Sequence, residues 1–264
     1  MESEQHIAVV DVNSPIQASN GVSANQIISG IRRALDNDAT KALVLNINSP
    51  GGSPTESQRV YHALKDFRDR HDVPIVSYIR DMGASGAYYI AAGTDTIYAS
   101  PSSIVGSIGV ISASFGFTDA MENLGVERRV YTSGDNKAML DPFLPEDPQT
   151  TERFSAMLGD VHQQFIDDVK EGRHALADTP YDDIVFSGAV WSGIEAVDVG
   201  LVDETLMLEE LFDRLLPSDD GYPSVRNYSV RGNALEQFLR RMPGVMASVF
   251  SPATQDQHSI EMRY

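Results

Sequence analysis

The chain has 264 residues, 42% of them hydrophobic, enough for one large α/β domain with an appendage. Its 38 acidic residues against 20 basic ones leave a net charge of −18, a poor surface for nucleic acid, and the lack of cysteine removes disulfides, thiolate metal sites and a cysteine nucleophile. No run approaches the roughly 18 apolar residues that cross a bilayer, and the acidic opening Met1–Gln5 is unlike a secretory signal peptide.

His6 to Val12 reads as a first strand, and Ile27, Ile28, Ile31 and Leu35 give residues 24–35 a helical spacing. Ala42 to Ile47 reads as a buried strand, 54–67 as a helix, and Val73 to Ile79 as a third strand. Thr96–Ala99 and Val126–Tyr131 are further expected strands. Residues 134–149 are loop-like, with Asp141-Pro142 and Pro145-Glu146-Asp147-Pro148. A long helix is expected over 150–170, a turn over 188–193, and helices over 194–199 and 206–216. Strands alternating with helices predict parallel β-structure with right-handed crossovers. Pro217 to Tyr222 reads as a linker, which divides the chain into a domain over 1–216 and an extension over 217–264. In that extension Leu235, Phe238, Leu239 and Met242 form an apolar stripe flanked by Arg231, Arg240 and Arg241, a pattern for packing or for a membrane surface.

The chemistry concentrates at glycine corners. Gly83-Ala84-Ser85-Gly86 lies between a strand and a small-residue helix. A serine there sits at a helix N-terminus, where free N–H groups meet developing negative charge. It departs from the G-x-S-x-G hydrolase elbow at Ala87. Asn48-Ser49-Pro50-Gly51-Gly52 ends the preceding strand; it is either simple turn chemistry or the other half of an oxyanion hole.

Serine needs a base. None of the six histidines falls in a glycine corner; His71 reads as part of an exposed turn and His162, beside Gln163 and Gln164, as a helix-surface residue. Lys137 lies in a loop bracketed by Tyr131, Met139, Leu140 and Phe143. Such a lysine is either exposed and inert or, if desolvated, a neutral amine able to take the serine proton. Ser107, between Gly106 and Gly109 in an apolar stretch, is a turn serine or the partner of that amine. Met82 and Tyr88 are either core or the lining of a pocket.

Four ordered motifs, Asn48–Ser53, Gly83–Tyr89, Val105–Val110 and Gly134–Lys137 with Asp141-Pro142-Phe143, together with Phe186-Ser187-Gly188 and Gly200–Asp203, resemble the signal peptide peptidase A family of serine–lysine proteases in its half-length form. The resemblance covers about residues 6–205 and implies a Clp protease/crotonase-like α/β spiral of β-β-α units, here with a C-terminal helical extension. It also implies Ser85 as nucleophile, Lys137 as general base, Ser107 as the residue holding the lysine amine, and Gly52 and Gly86 N–H as oxyanion hole. Catalysis needs no cofactor or metal. The implied substrates are cleaved signal peptides and other unfolded, hydrophobic peptides, with small or apolar side chains in the specificity pocket. The implied assembly is a homo-octamer in which Ser85 of one subunit meets Lys137 of its neighbour, associated with a bacterial or archaeal cell envelope. A crotonase-type thioester enzyme and a non-catalytic peptide-binding ring are the rival readings; neither glycine corner carries the carboxylate the first would use.

Overall fold

The computed structural model describes residues 4–19, 21–134, 136–218 and 223–230. In chain order the elements are β1 (His6–Asn13), α1 (Ala24–Leu35), β2 (Thr40–Ser49), α2 (Pro54–Arg70), β3 (Ile75–Ala84), α3 (Gly86–Ala91), β4 (Thr96–Ala99) and β5 (Ile104–Gly106). There follow α4 (Thr118–Asn123), α5 (Pro148–Gly172), α6 (Asp182–Val185), β6 (Val190–Ser192), α7 (Gly193–Asp198), β7 (Glu204–Thr205), α8 (Leu208–Leu215) and β8 (Val225–Asn227).

The strands form one sheet with the path β6-β5-β3-β2-β1-β8, and β4 joins β3 to β7. Every pairing is parallel except that of β5 with β6. Because successive side chains on a strand point to opposite faces, the central strands feed two cores. Ala8, Val10, Leu43, Leu45 and Ile47 face a large cluster with Ile27, Ile31, Val60, Leu64 and Tyr88 from the helices. Ile7, Val9, Val44, Val76 and Tyr78 face Leu206 and Leu211 at and near α8.

Local chemistry sets the helix starts. Ser23 and Gln26 form a capping box at α1. Ser53 caps α2 with Pro54 in its first turn, and Asp147 caps α5 in the same way with Pro148. The first turns of α1 and α2 are joined as well, since Ala24 N–H donates to Glu56 Oε2 at 2.8 Å.

Four expectations need correction. The third strand does not end at Ile79 but runs to Ala84, because Met82, Gly83 and Ala84 find a second neighbour in β5 after β4 has left. Residues 126–131 are not a strand; they are irregular and largely exposed, with no sheet edge beside them, and Arg129 pairs locally with Glu127 at 2.9 Å. Within the expected turn 188–193, Val190–Ser192 is a strand, which Gly188, at φ 87°, turns back along β5. The compact unit also passes the expected end at 216. Residues 225–227 add β8 beside β1, and the unit runs to Ser229. Tyr228 fastens this edge: its hydroxyl lies 2.8 Å from His6 Nε2 and accepts from Asn37 Nδ2 at 2.9 Å. The apolar stripe over 234–242 lies outside the described residues.

Candidate active site

β2 and β3 are adjacent and parallel, with Ser49 opposite Gly83. Both glycine corners therefore leave the same end of the sheet, the end where open α/β sheets bind ligands. The approach is close. A Cβ placed on Gly51 would stand 2.6 Å from Gly86 N, 2.7 Å from Ala84 O and 2.9 Å from Ser85 Cβ. A Cβ on Gly86 would stand 3.3 Å from Gly52 N. Only glycine permits this contact.

Ser85 has φ 52° and ψ −124°, a backbone conformation that L side chains rarely adopt. Such strain costs on the order of 1–3 kcal/mol and persists only where the surroundings fix it. Here the Ser85 N–H donates to Gly106 O at 2.8 Å, and its carbonyl accepts from Tyr89 N–H at 3.0 Å. The side chain does not cap α3, so the half-buried hydroxyl is left for other work. Gly86, as first residue of α3, has an N–H without an acceptor inside the helix. Among the described residues Gly52 N–H finds no backbone acceptor; its neighbours are held instead, by Ile16 N–H donating to Gly51 O (2.8 Å) and Ser53 N–H donating to Ile16 O (2.7 Å).

Ser107 is brought to the same place. Ala84 and Gly106 are partners in register, so Ser85 and Ser107 leave the sheet side by side. Ser107 also has a positive φ, 51°, and its N–H is pinned to Ala189 O at 2.7 Å.

A cleft of about 110 Å³ opens beside Ser85, Gly52 and Gly86. Its walls are Pro54, Tyr89, Val110, Ile111, Val161 and Phe165. Tyr89 and Phe165 stack with centroids 4.4 Å apart, and the Tyr89 hydroxyl donates to Asp168. Burial, then the Asp168 carboxylate beside it, pushes the Tyr89 phenol well above its ordinary value, so it stays protonated. Tyr88 is fully buried, with its hydroxyl on Leu201 O at 2.8 Å, and like half-buried Met82 it lies outside this cleft. The apolar lining comes from Pro54, Tyr89, the 110–111 stretch and α5, not from Met82 and Tyr88.

Lys137 is not among the residues that line the cleft beside Ser85. It is exposed, in the turns after Gly134. The residues expected to desolvate it are open to water: Tyr131 is 91% exposed, and Met139, Leu140 and Phe143 are exposed too. The dry pocket for this amine is therefore missing from a single copy. His162, expected on the helix surface, is half-buried and sits 3.1 Å from Ile108 O through Nε2. Among the described residues no cluster of His, Cys, Asp and Glu is suited to a metal ion, and no helix is long and apolar enough to cross a membrane.

The peptidase family S49 model matches residues 68–218. Over 207 residues the chain is 43% identical to a Na(+)/H(+) antiporter NhaA of Brucella melitensis, covering 76% of the chain and 28% of that protein. It is 30% identical over 188 residues to a putative signal peptide peptidase SppA of Enterococcus faecium, covering 71% and 54%. It is 29% identical over 202 residues to protease 4 of Haemophilus influenzae, covering 75% and 32%. The chain thus spans from about a quarter to about half of these relatives. The family model takes in the Ser85 corner, Ser107, Lys137 and the α5 wall, and the parallel α/β sheet is the Clp protease/crotonase-like architecture expected of it; the chain belongs to peptidase family S49.

Proposed function

We propose that this chain is a serine endopeptidase with a Ser85/Lys137 dyad. The observation that carries the reading is the meeting of the Gly52 and Gly86 corners beside a strained, uncapped Ser85. Ser85 Oγ attacks the scissile carbonyl carbon while its proton passes to the neutral Lys137 amine. The carbonyl oxygen becomes an oxyanion, which the N–H groups of Gly52 and Gly86 stabilise. The C–N bond then breaks, Lys137 returns the proton to the leaving amine, and an ester to Ser85 remains. Water gives a proton to the same amine and attacks the ester; the C–Oγ bond breaks, Lys137 passes that proton to Ser85 Oγ, and the acid product leaves. Ser107 holds the Lys137 amine in line.

Lys137 is supplied by a second copy of the chain, seated so that its 134–140 turn closes on the Ser85 cleft of its neighbour. A ring of eight copies is the proposed assembly. The substrates are unfolded apolar peptides, among them cleaved signal peptides, at a cell envelope. The apolar walls of the cleft and its modest volume support a small or medium apolar side chain beside the scissile bond.

The test is turnover of a denatured protein by wild type, Ser85→Ala and Lys137→Ala. Each substitution is expected to lower kcat by at least about a thousandfold with assembly unchanged. A small fluorophosphonate should label Ser85 in the wild type. Full turnover by Ser85→Ala would end the proposal, and a crotonase-type reading would follow from thioester turnover without labelling.

A further inference from the structure

We propose that His162 is a positioning residue that holds the Val110–Ile111 wall of the cleft against the body of the protein; this rests on reading the cleft as the peptide site. Two consecutive positive φ values, at Gly106 and Ser107, turn the chain out of β5 and past the nucleophile. From Gly109 to Gly116 the backbone then makes no backbone hydrogen bond among the described residues. Next along the chain, Phe117 N–H donates to Pro142 O at 2.7 Å. Between Ser107 and Phe117 the stretch is tied to the body at Ile108, whose side chain is fully buried and whose carbonyl faces His162 Nε2 at 3.1 Å.

A carbonyl only accepts, so the Nε2 facing it carries a proton, in the neutral ring or in the imidazolium. His162 is rooted in α5 beside Val161 and one turn before Phe165, both of which line the cleft. The imidazole thus connects α5 to Ile108, the residue from which the 109–111 stretch sets out. A backbone stretch whose N–H and C=O groups make no backbone hydrogen bond among the described residues, next to a nucleophilic serine, is a surface along which a peptide is held. Its position decides how well a peptide binds, and it matters little to a reagent small enough to reach Ser85 alone.

The experiment compares His162→Leu and His162→Gln with wild type in the full chain. Three readings are taken: kcat and KM for an unfolded peptide, the rate of Ser85 labelling by a small fluorophosphonate, and amide hydrogen exchange of the 105–111 segment. His162→Leu is expected to raise KM by about threefold to tenfold, the factor that one lost hydrogen bond represents. Labelling should stay near wild type, and exchange over 105–111 should quicken by a similar factor. His162→Gln, which keeps an N–H donor, should recover most of the KM. Should His162→Leu fail to fold, His162→Ala repeats the comparison. Unchanged KM with unchanged exchange overturns the proposal. So does a glutamine variant as impaired as leucine, or labelling that falls in step with peptide turnover. If the wild type neither labels nor cleaves, the dyad reading fails, while the exchange comparison still decides whether His162 tethers the wall.

Discussion

At Ser85 the backbone is held in a conformation it would not choose, and the holding is done by neighbours rather than by the serine itself. Gly51 and Gly52 have φ of 94° and 150°, and the second lies against Ile16 so closely that a Cβ would overlap the Ile16 carbonyl oxygen. Gly52→Ala therefore displaces the very N–H proposed to meet the oxyanion. The expected outcome is a loss of about a hundredfold in kcat, the scale of one oxyanion donor, with stability lower by about 1–3 kcal/mol. Peptide kinetics and urea unfolding measure the two, and a wild-type kcat would show that Gly52 lies outside the oxyanion hole. The two glycine corners were legible as sequence because each interrupts an apolar strand. His162 was not: helical spacing says which face of α5 a residue occupies, but not that Ile108 passes across that face. Nor does spacing separate Tyr88, on a buried phenol-to-carbonyl bond, from Tyr89, one residue on and in the cleft.

Among the elements, α5 bears most on the site, since it supplies one wall of the cleft from Val161 and Phe165. Its start depends on Asp147, whose carboxylate accepts from the Thr150 hydroxyl at 2.6 Å and from Thr150 N–H at 2.9 Å. These bonds, the side-chain one first, hold the Asp147 carboxyl below the ordinary carboxylate value. A folded-state value below the unfolded one means that the cap is fully present above about pH 4, the unfolded value, and is lost as pH falls through the lowered folded value. Protection of the first-turn amides of α5, taken against the intrinsic exchange rate at each pH, should accordingly fall on acidification in the wild type. In Asp147→Asn, whose amide oxygen accepts at every pH, it should stay flat; the same acid response in both proteins would assign it elsewhere. This helix was legible because Phe154 to Val169 repeats at helical spacing; its start was not, since Asp147-Pro148 reads in sequence as part of the preceding loop, whereas the helix begins at Pro148. The missed strands are those that exist through a neighbour. Val190–Ser192 and Val225–Asn227 are three-residue strands made by β5 and β1 respectively, and residues 126–131 have strand-forming composition with no sheet to join.

Among the described residues up to Ser229, a dense sheet-and-helix body can be told from an arm within 109–147 that lacks a core of its own. Ile111, Phe115, Leu124 and Tyr131 are 78–91% exposed, and α4 has no buried residue. What order the arm has is local, from Phe117 stacked on Phe143 at 5.4 Å and Arg128 paired with Asp141 at 2.9 Å. Apolar exposure of this extent marks an interaction surface, and Lys137 lies within it. If the partner is a neighbouring copy, each site takes its serine from one subunit and its lysine from the next, in a head-to-tail closed ring. Ser85→Ala subunits still carry a competent lysine, and Lys137→Ala subunits a competent serine. Random one-to-one mixing then restores about one site in four, because a working site needs one neighbour of each kind in the right order. Peptide turnover of the mixture, with co-assembly verified by mass, should rise from background to about a quarter of the wild-type rate. A dyad completed within one chain gives no recovery at any mixing ratio, so silence from a verified mixed assembly would return Lys137 to its own Ser85 and leave the exposed arm in need of a different partner.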